Sequence, residues 1–259
     1  MNKIAQEYLR RSLTAPLYDL VRRTPLDHAP ALSARIGHKL WLKREDMQNT
    51  YSFKLRGAHN CIRQLTAAER SRGVVAASAG NHAQGVAMSA RELGVKATIF
   101  MPVTTPEIKV RAVRALGAHI ELCGDDYDTA CEMAIAFSRA SGGYFIHPFD
   151  NAEVIAGQGT LGVEITQQLE TPPGVIFIPI GGGGLAAGVA ATVKAVYPQV
   201  RIVGVEPEDA ASMHAALTVR SWPRPDPPQE PVRMPGPGQA HLRPVSPGVR
   251  PPVLCHIAG

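Results

Sequence analysis

From Leu40 onward the chain alternates short apolar runs with longer stretches in which apolar residues recur every three or four positions. These are the signatures of buried strands and of helices with one apolar face. Before that, residues 1–39 are helical and then irregular in pattern, with Thr24-Pro25-Leu26 as punctuation. Leu40-Trp41-Leu42 predicts a strand and Glu45 to Thr50 a polar turn, after which Leu55, Ala58, Ile62 and Leu65 fall at helical spacing. Further strands are expected at Val74–Ala77, Ala97–Met101, His119–Leu122, Tyr144–Ile146, Val175–Ile178 and Arg201–Glu206. Helices fill the intervals: one after the turn Ser78-Ala79-Gly80-Asn81 to about Leu93, one from Thr105-Pro106 to Gly117, and one from Asp126 to about Ala140. Two more are expected at Ala152–Leu169 and Leu185–Tyr197. Thr105 followed by Pro106 reads as an N-cap with proline at the first helical position. Arg91-Glu92-Leu93-Gly94 and Arg114-Ala115-Leu116-Gly117 end two helices alike, each with glycine where the chain leaves the helix.

Strands and helices in this order predict an α/β fold of two open parallel-sheet domains. The small one covers 45–148. The large one is built from 1–44 and 149–217 and is incomplete, because neither period survives beyond it. In such folds ligands bind beyond the carboxyl ends of the strands. The turns at 50–54, 78–82 and 181–184 all lie at strand-to-helix junctions of that kind.

Composition narrows the class. With 259 residues, 45% of them hydrophobic and 19% charged, the chain carries enough apolar mass for a sizeable core. Its formal charge of +5 is concentrated: Arg220, Arg224, Arg233, Arg243 and Arg250 against Asp226 and Glu230 place +3 of it in 219–259. The body shows no basic face and no interleaving of aromatic and basic residues, so nucleic acid is not expected as a partner. Gly174 to Val193 is 20 residues without a charge, long enough to span a bilayer. Pro179 and four consecutive glycines make strand, loop and helix the better reading, and no membrane association is expected. Met1 to Arg11 is charged throughout, unlike a secretory leader. Cys61, Cys123, Cys131 and Cys255 form no C-x-x-C pair, which speaks against a zinc ribbon and fits the reducing cytoplasm. Asp125-Asp126-Tyr127-Asp128 reads as a cap at a helix start, and no metal is expected.

The candidate chemistry lies in the three turns. Ser52 stands where an N-cap belongs, which puts Lys54 in the first turn of a helix. A helix start favours anions, so an ammonium there is disfavoured; partial burial would lower its pKa further, and Schiff-base chemistry needs the neutral amine. From this stretch alone, an exposed charge on a solvated face is the simpler reading. Ile180-Gly181-Gly182-Gly183-Gly184-Leu185 has the form of a phosphate cradle, its backbone N–H groups open to an anion at a helix start. Gly181, Gly183 and Ala186 also fit the dinucleotide pattern G-x-G-x-x-A, with Glu206 ending a strand where a ribose-binding acid could sit. An NAD(P)-dependent dehydrogenase is therefore a rival reading, and a tight turn that binds nothing is the plainest one. Ser78-Ala79-Gly80-Asn81-His82 offers a hydroxyl, an amide and several backbone donors around a helix start, which suits a carboxylate. His82 invites an acid-base role, although a histidine after a turn serves as readily in capping or packing. Lysine, glycine cradle and carboxylate site together point to pyridoxal 5'-phosphate acting on an amino acid.

Three stretches resemble the motifs of threonine dehydratase, a family of fold-type II pyridoxal-phosphate enzymes of the tryptophan-synthase-β-like class. They are Ser52-Phe53-Lys54-Leu55-Arg56-Gly57-Ala58, the run from Ala77-Ser78-Ala79-Gly80-Asn81-His82 to Ala87, and Gly181 to Leu185. Glu7-Tyr8-Leu9-Arg10, Ala15-Pro16-Leu17-Tyr18 and Thr24-Pro25-Leu26 resemble the opening of its biosynthetic branch, which makes 2-oxobutanoate for isoleucine. The resemblance runs from about residue 7 to about 217. It implies that Lys54 carries the cofactor as a Schiff base and later moves the α-proton, and that Phe53 packs on the pyridine ring. Asn81 would hydrogen-bond the ring's 3-oxygen, and Gly181, Gly182, Gly183 and Gly184 with Leu185 would hold the phosphate. Ser78 with neighbouring N–H groups, across Ala79, Gly80, Asn81 and His82, would take the substrate carboxylate. The implied reaction converts L-threonine to 2-oxobutanoate and ammonia. Serine dehydratase and serine racemase would use the same motifs on L-serine, and a homo-oligomer is expected for the family.

Beyond Leu217 the resemblance stops. Of the 22 prolines, 11 fall in the last 41 residues, which contain no lysine. Family members continue there with a Ser-Gly segment facing the pyridine nitrogen, and the biosynthetic branch adds a regulatory domain. Residues 218–259 read instead as a disordered proline-rich tail or as a shifted reading frame, the latter favoured. Impaired activity, or a chain that only binds cofactor, is the corresponding expectation.

Overall fold

In the computed structural model, which describes residues 3–218 and 252–256, the apolar runs become two sheets. The first half of the chain supplies α1 (Lys3–Leu13), β1 (Leu26–His28), α2 (Pro30–Ile36), β2 (Trp41–Arg44), α3 (Lys54–Gln64), α4 (Ala67–Arg72), β3 (Val74–Ala77) and α5 (Asn81–Glu92). It continues with β4 (Ala97–Met101), α6 (Glu107–Arg114), β5 (His119–Leu122), α7 (Tyr127–Ser141) and β6 (Tyr144–Phe145). Then come α8 (Ala152–Gln168), β7 (Val175–Pro179), α9 (Gly184–Val196), β8 (Arg201–Val205), α10 (Ser212–Thr218) and β9 (Pro252–His256).

The smaller sheet has the order β5-β4-β3-β6, parallel throughout. Every residue of β3 is buried. Val74 and Ala76 pack with Ile62, Val86 and Ile99 on one side, while Val75 and Ala77 pack with Phe100 and Ala134 on the other. Helices cover both faces, so the strand is apolar at every position instead of alternating. Gly94 and Gly117, with φ of 64° and 90°, take the left-handed conformation that lets the chain turn from helix into β4 and β5.

The larger sheet has the order β1-β2-β9-β7-β8. It is parallel except at its edge, where β1 runs antiparallel to β2. The parallel-sheet expectation holds apart from that edge, where three residues of strand inside an irregular stretch carry too little pattern to read. The stretch 218–259, read as a disordered proline-rich tail or as a shifted reading frame, holds one described strand. Pro252–His256 lies between β2 and β7 and pairs with both; the rest of that stretch, from 219 to 251 and beyond 256, lies outside the described residues. The charge-free run from Gly174 resolves into β7, a loop and most of α9. No helix among the described residues is long and apolar enough to cross a membrane.

α8 is the helix on which the others close. Its glycines weaken the helical pattern in sequence, and contact explains them. A Cβ on Gly157 would fall 2.7 Å from the Cα of Gly57 in α3, and one on Gly188 of α9 would fall 2.7 Å from the backbone N of Gly159. Absent side chains let α3 and α9 lie directly against α8. Two helix starts shift by one residue: α3 begins after Phe53 instead of Ser52, and α6 after Pro106 instead of Thr105. Asp126 caps α7 as expected, accepting the Thr129 N–H at 2.9 Å.

Candidate functional site

Lys54 opens α3. The buried Ser52 hydroxyl accepts its backbone N–H at 3.2 Å, so Ser52 supports the helix start from one position further out. Just before it, Tyr51 has a φ of 55°, the left-handed region that a non-glycine residue enters at a cost of roughly 1 kcal/mol or more. The Lys54 side chain is partly buried, and its Nζ donates to the Pro148 carbonyl at 2.8 Å. The Phe53 ring centroid lies 5.4 Å from the same nitrogen. Burial brings the amine down to about 8, because desolvation penalises the charged form. The solvated-charge reading is thereby overturned.

The second turn, Ser78 to His82, meets the first directly. A Cβ on Gly85 would lie 3.2 Å from the backbone carbonyl of Lys54, so α5 rests on the first turn of α3. Ser78 Oγ accepts the Gly80 N–H at 3.2 Å, which leaves its own O–H to donate. Ala79 and Gly80 lead into Asn81, the first residue of α5, whose side-chain amide has no partner among the described residues. His82 is buried, donates Nε2–H to the Ile146 carbonyl at 2.9 Å, and has no partner at Nδ1. Burial, with the Lys54 charge second, pushes it down to about 3, so it stays neutral and serves as a tie between α5 and the residue that follows β6.

At the third turn, no described residue accepts the N–H groups of Gly181, Gly182 or Gly183, and α9 starts at Gly184 with its own first-turn donors open. A Cβ on Gly181 would meet nothing within 4 Å, whereas one on Gly182 would strike the Phe149 ring at 2.2 Å. An open cavity of about 340 Å³ borders Gly182, Gly183 and Gly184 and is lined as well by Phe149, Ile155 and Met213. Leu185 is buried behind it among Ile178 and Val189. Open backbone donors at a helix start, in a glycine loop beside a cavity, fit a phosphate group.

The segment 146–150 joins the three turns, and sequence reading missed it. Ile146 holds His82, Pro148 holds Lys54, and Phe149 lies against Gly182 and Gly184. Its residues lack periodicity, and the useful signal is only its place after a strand at the same end of the sheet. A second missed group lies under α3. Arg56 forks onto Glu45 with two 2.8 Å bonds and reaches Glu164 at 2.6 Å, and Glu164 also takes Lys43. All four side chains have at most 1% exposure. Sequence cannot tell which charged residues are sealed away.

A family model described as pyridoxal-phosphate dependent enzyme matches residues 17–245. The chain belongs to that family. It is 54% identical over 213 residues to the chloroplastic biosynthetic threonine dehydratase of Arabidopsis thaliana, covering 82% of this chain and 36% of that one. It is 50% identical over 216 residues to the biosynthetic L-threonine dehydratase of Burkholderia multivorans, covering 82% and 43%. Among solved structures, threonine deaminase isoform 2 of Solanum lycopersicum superposes with a TM-score of 0.80 at 48% identity over 82% of this chain and 62% of that one. Maize serine racemase gives 0.77 at 34% identity over 84% and 66%. The chain thus spans about two fifths of the length of these curated relatives. The cofactor of the family is pyridoxal phosphate, and lysine, glycine loop and free Asn81 amide suit it. The dinucleotide alternative loses its acid: both Glu206 oxygens accept N–H groups at the start of α10, from Met213 at 2.9 Å and His214 at 2.8 Å.

Proposed function

We propose that this chain carries out pyridoxal-phosphate-dependent dehydration and deamination of L-threonine to 2-oxobutanoate and ammonia, a step toward isoleucine. One observation carries the reading: the partly buried Lys54 amine, lowered to about 8, shares the 146–150 segment with both the carboxylate turn and the glycine loop. Similarity to proteins named threonine dehydratase at about half identity supports the choice of substrate. In this reading Gly181 to Gly184 and Leu185 hold the phosphate, Phe53 packs on the ring and Asn81 bonds its 3-oxygen. The bound cofactor supplies a conjugated ring that accepts the electron pair left on Cα. Lys54 attaches the cofactor and, once released, takes the α-proton with its neutral amine. Ser78 O–H and the N–H groups at Ala79, Asn81 and His82 orient the carboxylate, while the Gly80 N–H holds the Ser78 oxygen in place. The division into a small domain at 45–148 and a large one from both flanks belongs to this proposal, as does a cytoplasmic setting, in keeping with the unpaired Cys61, Cys123 and Cys131.

The test is turnover by the purified protein with pyridoxal phosphate. Release of 2-oxobutanoate from L-threonine should exceed release of pyruvate from L-serine in kcat/KM. A reversed ratio moves the reading to serine dehydratase, and cofactor held on Lys54 with no product from either leaves only an inert binder.

A further inference from the structure

We propose that His147 Nε2–H donates a hydrogen bond to the β-oxygen of the bound amino acid, which makes His147 a specificity-determining residue for β-hydroxy amino acids. This rests on the amino-acid reading above. His147 Nδ1 accepts two backbone N–H groups, from Asp150 at 2.8 Å and Phe149 at 3.3 Å. A ring nitrogen that receives two donors cannot carry a proton, so the neutral ring holds its hydrogen on Nε2. Phe145 and Phe149 flank the ring edge-on, with centroids 6.1 and 4.6 Å away, and fix its plane. Nε2 has no partner among the described residues, and it is not one of the sealed, unpartnered atoms either.

Its place in the chain decides what that donor can meet. Ile146, on one side, is tied to His82 in the carboxylate turn; Pro148, on the other, holds the Lys54 amine. His147 therefore lies, along the chain, between the residue tied to the carboxylate turn and the residue that holds the Lys54 amine, and the Lys54 charge reaches its ring. The carboxylate already has the Ser78 hydroxyl and the start of α5. On a β-hydroxy amino acid the oxygen without a donor is the one on Cβ, a single bond from the carbon Lys54 addresses. Burial is the main influence on the ring and keeps it neutral; Asp150 opposes it and the Lys54 charge adds to it.

Two variants separate the ring's two nitrogens. His147→Asn places an amide oxygen near Nδ1, keeps the acceptor of the turn and deletes the distal donor. His147→Gln extends an amide N–H toward the Nε2 position and gives up the near acceptor. The first readout is ¹⁵N NMR of the unloaded protein at pH 7, with His147→Asn identifying the signal. The Nε2–H tautomer is expected, and an Nδ1–H ring or an imidazolium overturns the proposal whatever the activity. The second readout is the initial spectral change of the pyridoxal-phosphate-loaded protein on mixing with L-serine or L-alanine. His147→Asn should weaken L-serine about tenfold and leave L-alanine unchanged, with His147→Gln recovering part of the preference. Equal weakening of both amino acids, or of neither, overturns the proposal. A wild-type protein that takes up no cofactor counts against the function proposed above, while the tautomer still decides the ring.

Discussion

Exposing the protein to a trace of pyridoxal phosphate between pH 6 and 10, with borohydride to trap each sample, should label Lys54 far ahead of every other lysine. Only the neutral amine attacks the aldehyde. With Lys54 at about 8, roughly a tenth of it is neutral at pH 7. An ordinary lysine at 10.5 is about three parts in ten thousand neutral, so the advantage is roughly three-hundredfold before any binding of the phosphate. Lys43 is the informative competitor, because burial lowers its pKa as well. Its ammonium, however, donates to Thr24 O, Glu164 Oε2 and Gln168 Oε1 at 0% side-chain exposure, which uses all three protons and leaves no approach for an aldehyde. Peptide mapping of the reduced protein gives the position, and yield against pH gives the midpoint. Label on Lys43, label spread over the lysines, or a Lys54 midpoint near 10.5 would refute the reasoning.

Lys54→Met should stabilise the unloaded protein at pH 7 by on the order of 2 kcal/mol, read from urea melts. The folded pKa lies below the unfolded one, so the charged amine costs stability below about pH 8. That cost is relieved as pH rises toward 10.5, and the advantage of the variant should fade over the same range. Arg56→Met removes the only guanidinium from Glu45, which keeps the Thr24 hydroxyl, and leaves Glu164 with Lys43 and the Tyr18 hydroxyl; it should cost about 3–5 kcal/mol in the same melts. A loss under 1 kcal/mol would mean that the carboxylates find other partners. Gly182→Ala puts a methyl group 2.2 Å from the Phe149 ring. Affinity for pyridoxal phosphate, followed by absorbance, should drop about tenfold or more while far-ultraviolet dichroism stays unchanged.

Much of the scaffold could be read before any coordinates. Val74–Ala77, Ala97–Met101 and His119–Leu122 are strands at the expected bounds, because a short apolar run between glycine and a cap leaves little room to slip. The order of strand and helix then placed Lys54, Ser78 to His82 and Gly181 to Gly184 at the same ends of their strands, and Gly85, three residues beyond the second turn, brings α5 against Lys54. What stayed hidden has physical reasons. β1 is three residues long, and β9 lies among prolines. His147 and Pro148 act through one ring nitrogen and one backbone carbonyl, neither of which leaves a mark on hydropathy. The burial of Lys43, Glu45, Arg56 and Glu164 depends on their mutual pairing, which only the fold brings about.

That buried quartet bears on the reactive amine through what it does not do. Arg56 stands two residues from Lys54 on the same helix, yet burial is the cause of the low Lys54 pKa and no charged neighbour enters it. Two cations and two anions closed on one another carry no net charge, and none of them contributes to the lowering at Lys54. The reactivity of Lys54 is accordingly set by how dry its surroundings are. Ionic strength, which screens exposed charges over about 10 Å at 0.1 M, has little to act on here. The amine should titrate at the same pH in dilute buffer and in concentrated salt, while any change that lets water in beside Pro148 moves it upward.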